Sequence, residues 1–203
     1  MTGIVDYGVG NIFSLVSSFD MIGERAVLAR DEKTLDACDR VILPGVGAFG
    51  DAMRKLDEAG MGDAVVRLAE SGKPLLGICL GMQLLFDKSY EFGEHAGLGL
   101  IEGNVRPIAD VIPAGLPIPH IGWNALDFGD NELFKYIRRG DYVYFVHSFY
   151  GADCEKSVIA TTDYGAPLTA AVADGNVCGV QFHPEKSGRV GLSILRAFCE
   201  IKG

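Results

Sequence analysis

Apolar positions in the first half of the chain follow two alternating rhythms. Short apolar runs occur at 2–8 ("TGIVDYG"), 25–30 ("RAVLAR"), 40–45 ("RVILPG") and 73–78 ("KPLLGI"). Each reads as a strand, short and continuous enough to be buried on both faces. Between them, residues 11–23, 31–38, 50–72 and 80–89 carry helical periodicity. Asn11 is placed to cap the first helix, and Gly60 and Gly62 break the third segment. Strands alternating with amphipathic helices predict βαβ units on a mostly parallel sheet.

The second half changes rhythm. Residues 103–108, 121–128, 141–150 and 157–164 are strand-like. The stretch 168–184 ("LTAAVADGNVCGVQFHP") reads as a hairpin turning at Asp174, Gly175 and Asn176. A last helix is expected over 190–201. The sequence carries no internal repeat, low-complexity tract or linker. One α/β domain over residues 1–203, with an antiparallel addition in the second half, accounts for all of it.

Composition narrows the class. Of 203 residues 48% are hydrophobic and 22% charged, enough for a buried core and unlike a disordered chain. A net charge of −9 disfavours a general nucleic-acid binder, though it leaves room for a local basic pocket. No apolar run is long enough to span a bilayer, and "MTGIVDYG" reads as a first strand rather than a signal peptide. The five cysteines, 38, 79, 154, 178 and 199, are odd in number and never at CxxC spacing. That argues against a disulfide framework or a cysteine-rich zinc site, and makes a reducing cytoplasm the expected compartment. Four of them read as ordinary small apolar residues.

Cys79 differs from the rest. It stands where the strand "KPLLGI" meets the helix beginning "LGMQ", with glycine two residues before it and two after. Reactive groups of parallel sheets sit at the carboxyl ends of strands. Gly77-Ile78-Cys79-Leu80-Gly81 is a cysteine version of the G-x-S-x-G nucleophile elbow. A helix start at this corner favours a thiolate, and the Leu80 N–H is placed to bind an oxyanion. By itself the pattern does not separate a reactive elbow from a buried strand end.

A base is available far along the chain. His183 precedes Pro184, which favours extended backbone, and side chains two apart on an extended segment share a side. Glu185 can then hold the imidazole while its other nitrogen takes a thiol proton. Alone, "HPE" would read as a polar turn; beside an elbow cysteine a Cys-His-Glu triad is the better reading. His95 and His120 read as loop residues, and His147 as a packed or secondary-site residue. A second glycine loop, "PGVGAFGD" (44–51), ends another strand and could aim N–H groups near Val46 and Gly47 into the same site. "GVGN" at 8–11 lacks the rest of a dinucleotide or phosphate motif.

Together "PGVG", "GICLGMQ" and "VQFHPEKSG" resemble the triad, or class I, glutamine amidotransferases, in that family's order and across most of the chain. The resemblance implies a flavodoxin-like three-layer αβα fold and no cofactor. It makes Cys79 the nucleophile, His183 the acid and base, and Glu185 the residue that orients it. It places Gln83 in the pocket for L-glutamine, with Gly45, His147 and Ser148 beside it.

Within the family, "DYGVGNIFSL", "LPGVGAFGDAM", "PHIGWN" and "YFVHSFY" resemble stand-alone glutaminase subunits of histidine biosynthesis. These feed ammonia to a (β/α)8-barrel cyclase subunit that makes imidazole glycerol phosphate and an aminoimidazole carboxamide ribotide. The same resemblance implies a heterodimer and an interface holding Asn11, Trp123, Tyr144 and Lys186. Read from the residues alone, Trp123 is almost equally a core anchor, and Lys186 a solvated lysine. Phe149 stands where a tyrosine is more usual. Glutaminases of the anthranilate or pyridoxal phosphate type are rivals within the class. A cysteine peptidase, a chaperone-like relative and a non-catalytic subunit are rivals outside it; Gln83 and "HPE" argue against these.

Overall fold

The computed structural model describes residues 1–201. The chain runs β1 (Thr2–Val5), α1 (Ile12–Met21), β2 (Ala26–Ala29), α2 (Glu32–Asp36), β3 (Arg40–Gly45), α3 (Phe49–Glu58), α4 (Gly62–Glu70), β4 (Leu75–Cys79) and α5 (Leu80–Leu84). It continues with β5 (Phe86–Ser89), β6 (His95–Ala96), β7 (Ile101–Pro107), β8 (His120–Ala125), β9 (Asp127–Phe128), β10 (Tyr142–His147) and β11 (Phe149–Ala152). The last elements are β12 (Val158–Asp163), β13 (Pro167–Asp174), β14 (Val177–Val180) and α6 (Gly188–Glu200).

The central sheet has eight strands in the order β2-β1-β3-β4-β14-β13-β12-β9. Pairing is parallel from β2 through β14 and antiparallel beyond it. This is the mixed α/β architecture expected from the alternating rhythms. Successive side chains of a strand point to opposite faces, so each inner strand feeds two cores. Ile4, Ile42 and Leu76 pack with Leu15 and Phe19 of α1 and with Ile194 and Phe198 of α6. Their neighbours Val5, Leu43 and Leu75 pack on the other face with Phe49 and Leu56 of α3 and Val65 and Leu68 of α4. Each fully buried Leu, Ile or Phe contributes about 1.5–3 kcal/mol relative to exposure, so both faces hold the sheet.

Three expected elements differ. The helix foreseen over 80–89 stops at Leu84, and Phe86–Ser89 becomes a strand beside β7. The apolar "LLF" suits either state; the N–H groups of Leu98, Leu100 and Ile101 take the carbonyls of Leu84 and Leu85, and Phe86 is fully buried. The run 121–128 breaks at Leu126, which turns into the core and donates to the Asp141 carbonyl. The run 141–150 breaks at Ser148: β10 pairs with β8 in a separate ribbon, whereas β11 pairs with β7. Asn11 occupies the cap position of α1 without a side-chain capping bond. The 168–184 hairpin forms as read, with Asp174 opposite Val177 and Gly175 at φ +55°.

Candidate active site

The elbow is built from close backbone contacts. Cys79 ends β4 and immediately precedes α5, at φ +56° and ψ −112°. A residue with a side chain tolerates that region at a cost of about 1–3 kcal/mol, and only where its surroundings enforce it. The flanking glycines let those surroundings close in. A Cβ on Gly81 would lie 1.8 Å from the Leu43 carbonyl oxygen, and one on Gly77 would lie 2.6 Å from that of Gly81. In register, Gly45 at the end of β3 stands opposite Cys79 at the end of β4. The "PGVG" loop therefore leaves the sheet directly beside the sulfur.

His183 arrives from β14, the parallel neighbour of β4 on its other side. Its N–H donates to the Tyr144 carbonyl at 2.9 Å, and its carbonyl accepts from the Ser187 hydroxyl at 2.6 Å. Pro184–Lys186 form a turn of 3-10 helix, where extended backbone was expected beyond His183. Glu185 still comes round to the ring, with Oε1 2.8 Å from Nδ1 and both side chains almost wholly buried. Nε2 is buried without a hydrogen bond of good geometry, as is common before substrate is bound. Burial opposes a charged ring here, but the neighbouring Cys79 sulfur and the hydrogen-bonded Glu185 carboxylate outweigh it. The pKa of the imidazole is thereby raised above its ordinary value.

Cys79 and His183 open into one pocket of about 260 Å³. Val46, Gly47 and Leu80 line one part of it. Gln83, Glu91 and the segment Val146–Phe149 line the rest, with Pro119. Leu80 begins α5, so its N–H has no carbonyl one turn back to take. The pocket thus combines a sulfur, a carboxylate-bonded imidazole and an unclaimed backbone donor, which is the equipment of acyl transfer from an amide or ester. Among the described residues no group of three or more His, Cys, Asp or Glu side chains is arranged to hold a metal ion.

Residues 4–201 match the family model for glutamine amidotransferase class I. The chain belongs to the class I glutamine amidotransferases. Imidazole glycerol phosphate synthase subunit HisH of Wolinella succinogenes is 50% identical over 99% of this chain and 100% of its own length. The HisH subunit of Lacticaseibacillus casei is 48% identical over 99% and 96%, and that of Aquifex aeolicus 46% over 97% and 95%. The amidotransferase also superposes on a crystal structure of a glutamine amidotransferase with a TM-score of 0.76 at 22% identity, covering 98% of this chain and 97% of that one. PurLQS from Thermotoga maritima gives 0.72 at 22%, covering 98% and 96%. These structural likenesses carry the flavodoxin-like fold.

The amidotransferase gathers most of the residues singled out in its sequence. Val46, Gly47, Cys79, Leu80, Gln83, His147, Ser148 and His183 all line the pocket, and Glu185 lies behind His183. Gly45 lies one residue back, packed on Gly81 rather than lining it. Trp123 is half-exposed on β8, which removes the core-anchor reading. Its ring meets Tyr144 edge-on at 6.0 Å, and the Lys186 ammonium lies 5.8 Å from the Tyr144 ring centre. Helix α1, which Asn11 precedes, packs beside the Pro184–Lys186 turn.

Two polar residues at the site, one lining the pocket and one behind it, carried no motif and were missed. Glu91 sits in the loop between β5 and β6; its Oε2 accepts from the Phe49 N–H at the start of α3 at 2.6 Å, and burial raises its carboxyl above the usual range. Gln181 lies inside the quoted "VQFHPEKSG" but alternates like any strand residue. It is fully buried against both Gln83 and Cys79.

Proposed function

We propose that this chain hydrolyses L-glutamine to glutamate and ammonia and passes the ammonia to a (β/α)8-barrel cyclase subunit. Together they would form an imidazole glycerol phosphate synthase of histidine biosynthesis, working in the cytoplasm. One observation carries the chemistry. A cysteine at a left-handed elbow shares a pocket with a buried imidazole whose far nitrogen is bonded to a carboxylate at 2.8 Å.

Each step follows from that placement. With the shared proton on His183, the Cys79 sulfur attacks the side-chain amide carbon as a thiolate. Negative charge moves to the amide oxygen, where the N–H of Leu80 and an N–H of the Val46–Gly47 loop receive it. His183 gives its proton to the departing nitrogen, so ammonia leaves and a glutamyl thioester remains. Water then enters, His183 takes one of its protons, and glutamate is released. Gln83, Ser148 and His147 bound the substrate's side chain. Glu91 supplies the carboxylate for its α-ammonium group.

Free ammonia is mostly protonated in neutral water, so the product must move directly to an acceptor. Identity of 46–50% to HisH subunits over nearly their whole length supports that partner. The exposed side chains of Phe13, Ile121 and Trp123, the last of them meeting Tyr144 with Lys186 over its ring, supply an apolar face for it. The deciding experiment measures glutamine hydrolysis with and without the cyclase and its ribonucleotide. Strong stimulation by the pair is expected, and its absence would remove the partner. In Cys79→Ala the glutamine-dependent synthesis is expected to vanish while synthesis from added ammonia survives. Loss of both would make Cys79 structural.

A further inference from the structure

Gln181 joins the sulfur to the substrate pocket through a chain of hydrogen bonds whose direction is fixed at one end. Its Nε2 lies 3.8 Å from the Cys79 sulfur, and its Oε1 lies 2.9 Å from Nε2 of Gln83. The same Gln83 Nε2 lies 3.1 Å from the main-chain oxygen of Phe149. A carbonyl oxygen can only accept, so Gln83 must turn its NH₂ toward Phe149. That NH₂ also faces Gln181, which must answer with its oxygen. The Gln181 NH₂ is thereby left for the sulfur.

The Phe149 oxygen fixes a histidine as well. His147 Nδ1 lies 2.8 Å from it and must carry the proton, so His147 Nε2 accepts. His120 Nδ1, 3.0 Å away, is then the donor. Neither Gln83 nor Gln181 can reverse its amide without setting two acceptors or two donors face to face in a buried site.

The consequence lies at Gln83. Both of its amide hydrogens are engaged, one by Gln181 and one by Phe149. Its Oε1 is the polar atom that remains for the pocket it lines. An oxygen acceptor attracts the NH₂ of a carboxamide and repels the oxygen of a carboxylate. We infer that Gln181 is a positioning residue that locks Gln83 as an acceptor, so that the pocket selects glutamine over glutamate, while its own N–H steadies the sulfur. The inference rests on the proposed reading of Cys79 as the nucleophile toward L-glutamine.

The test uses the full chain with its cyclase and compares wild type with Gln181→Glu and Gln181→Met. The readouts are kcat and KM for glutamine, Ki for glutamate, and the pH profile of Cys79 alkylation by iodoacetamide, followed on the Cys79 peptide. Gln181→Glu still accepts from Gln83 but offers the sulfur no donor. It is expected to lower kcat about tenfold or more, move the alkylation profile to higher pH and leave KM within about twofold. Gln181→Met frees Gln83 to rotate, and is expected to narrow the ratio of glutamate Ki to glutamine KM by about tenfold. Either variant alone decides, provided its Tm matches wild type. Unchanged kcat, Ki-to-KM ratio and alkylation profile overturn the role of Gln181. A wild-type complex without glutaminase activity overturns the functional reading itself.

Discussion

His183 and Glu185 are two residues apart in the chain, 2.8 Å apart across the ring, and both buried. The carboxylate reaches the imidazole by way of a proline-led turn. Glu185→Gln keeps the shape of this contact and removes its charge. It is expected to lower glutamine-dependent kcat by about 100-fold while leaving ammonia-dependent synthesis unchanged. Glu185 is one of the groups that raise the His183 pKa. The alkaline limb of kcat/KM should therefore move to lower pH in the variant. A steady-state pH series on the complex reads both effects.

The elbow predicts an order of stability for three small substitutions. Cys79 sits at φ +56°, where glycine is at ease and alanine is not. Cys79→Gly is expected to be more stable than Cys79→Ala by about 1 kcal/mol. Gly81→Ala forces a Cβ to within 1.8 Å of a main-chain oxygen and is expected to cost about 3 kcal/mol. Urea midpoints for the three variants check the order.

Acid should act through His147. Burial holds its pKa near 4 instead of the ordinary 6.5. The unfolded chain therefore takes up a proton near 6.5 that the folded chain refuses until about 4. Stability is full above 6.5, falls as pH drops through this window and levels off below it, a loss of about 3 kcal/mol. Burial lowers the pKa of its partner His120 as well. His147→Gln is expected to show a shallower fall between pH 7 and pH 4 in denaturant melts.

Trp123 is 51% exposed, so its removal should leave the fold intact. Trp123→Ala is expected to keep the wild-type Tm and to weaken cyclase binding by about 2 kcal/mol, roughly thirtyfold in Kd. Calorimetric titration of one subunit into the other measures it. An unchanged Kd would place the docking face elsewhere.

Much of this was legible in the chain, where local chemistry and global fold agree. The Asp174-Gly175-Asn176 turn announced its hairpin because few other structures suit those residues in succession. "GICLGMQ" announced a corner because its glycines are needed there. What escaped depends on partners distant in sequence. The break at Ser148 is invisible because strand-forming aromatic residues lie on both sides of it while the two halves join different strands. Phe86 turned from helix to strand through backbone pairing fixed fifteen residues later, at Ile101. Glu91 and Gln181 join the site through contacts across 42 and 102 positions respectively, and neither type nor spacing marks them.

Phe149 has a final consequence. What matters most at this position is the carbonyl, which every amino acid possesses. One main-chain oxygen receives Gln83 and His147 and so gives a polarity to the whole line from His120 to the Cys79 sulfur. That instruction is written where side-chain replacement cannot erase it. Through its backbone, position 149 tells the pocket which atoms give and which receive.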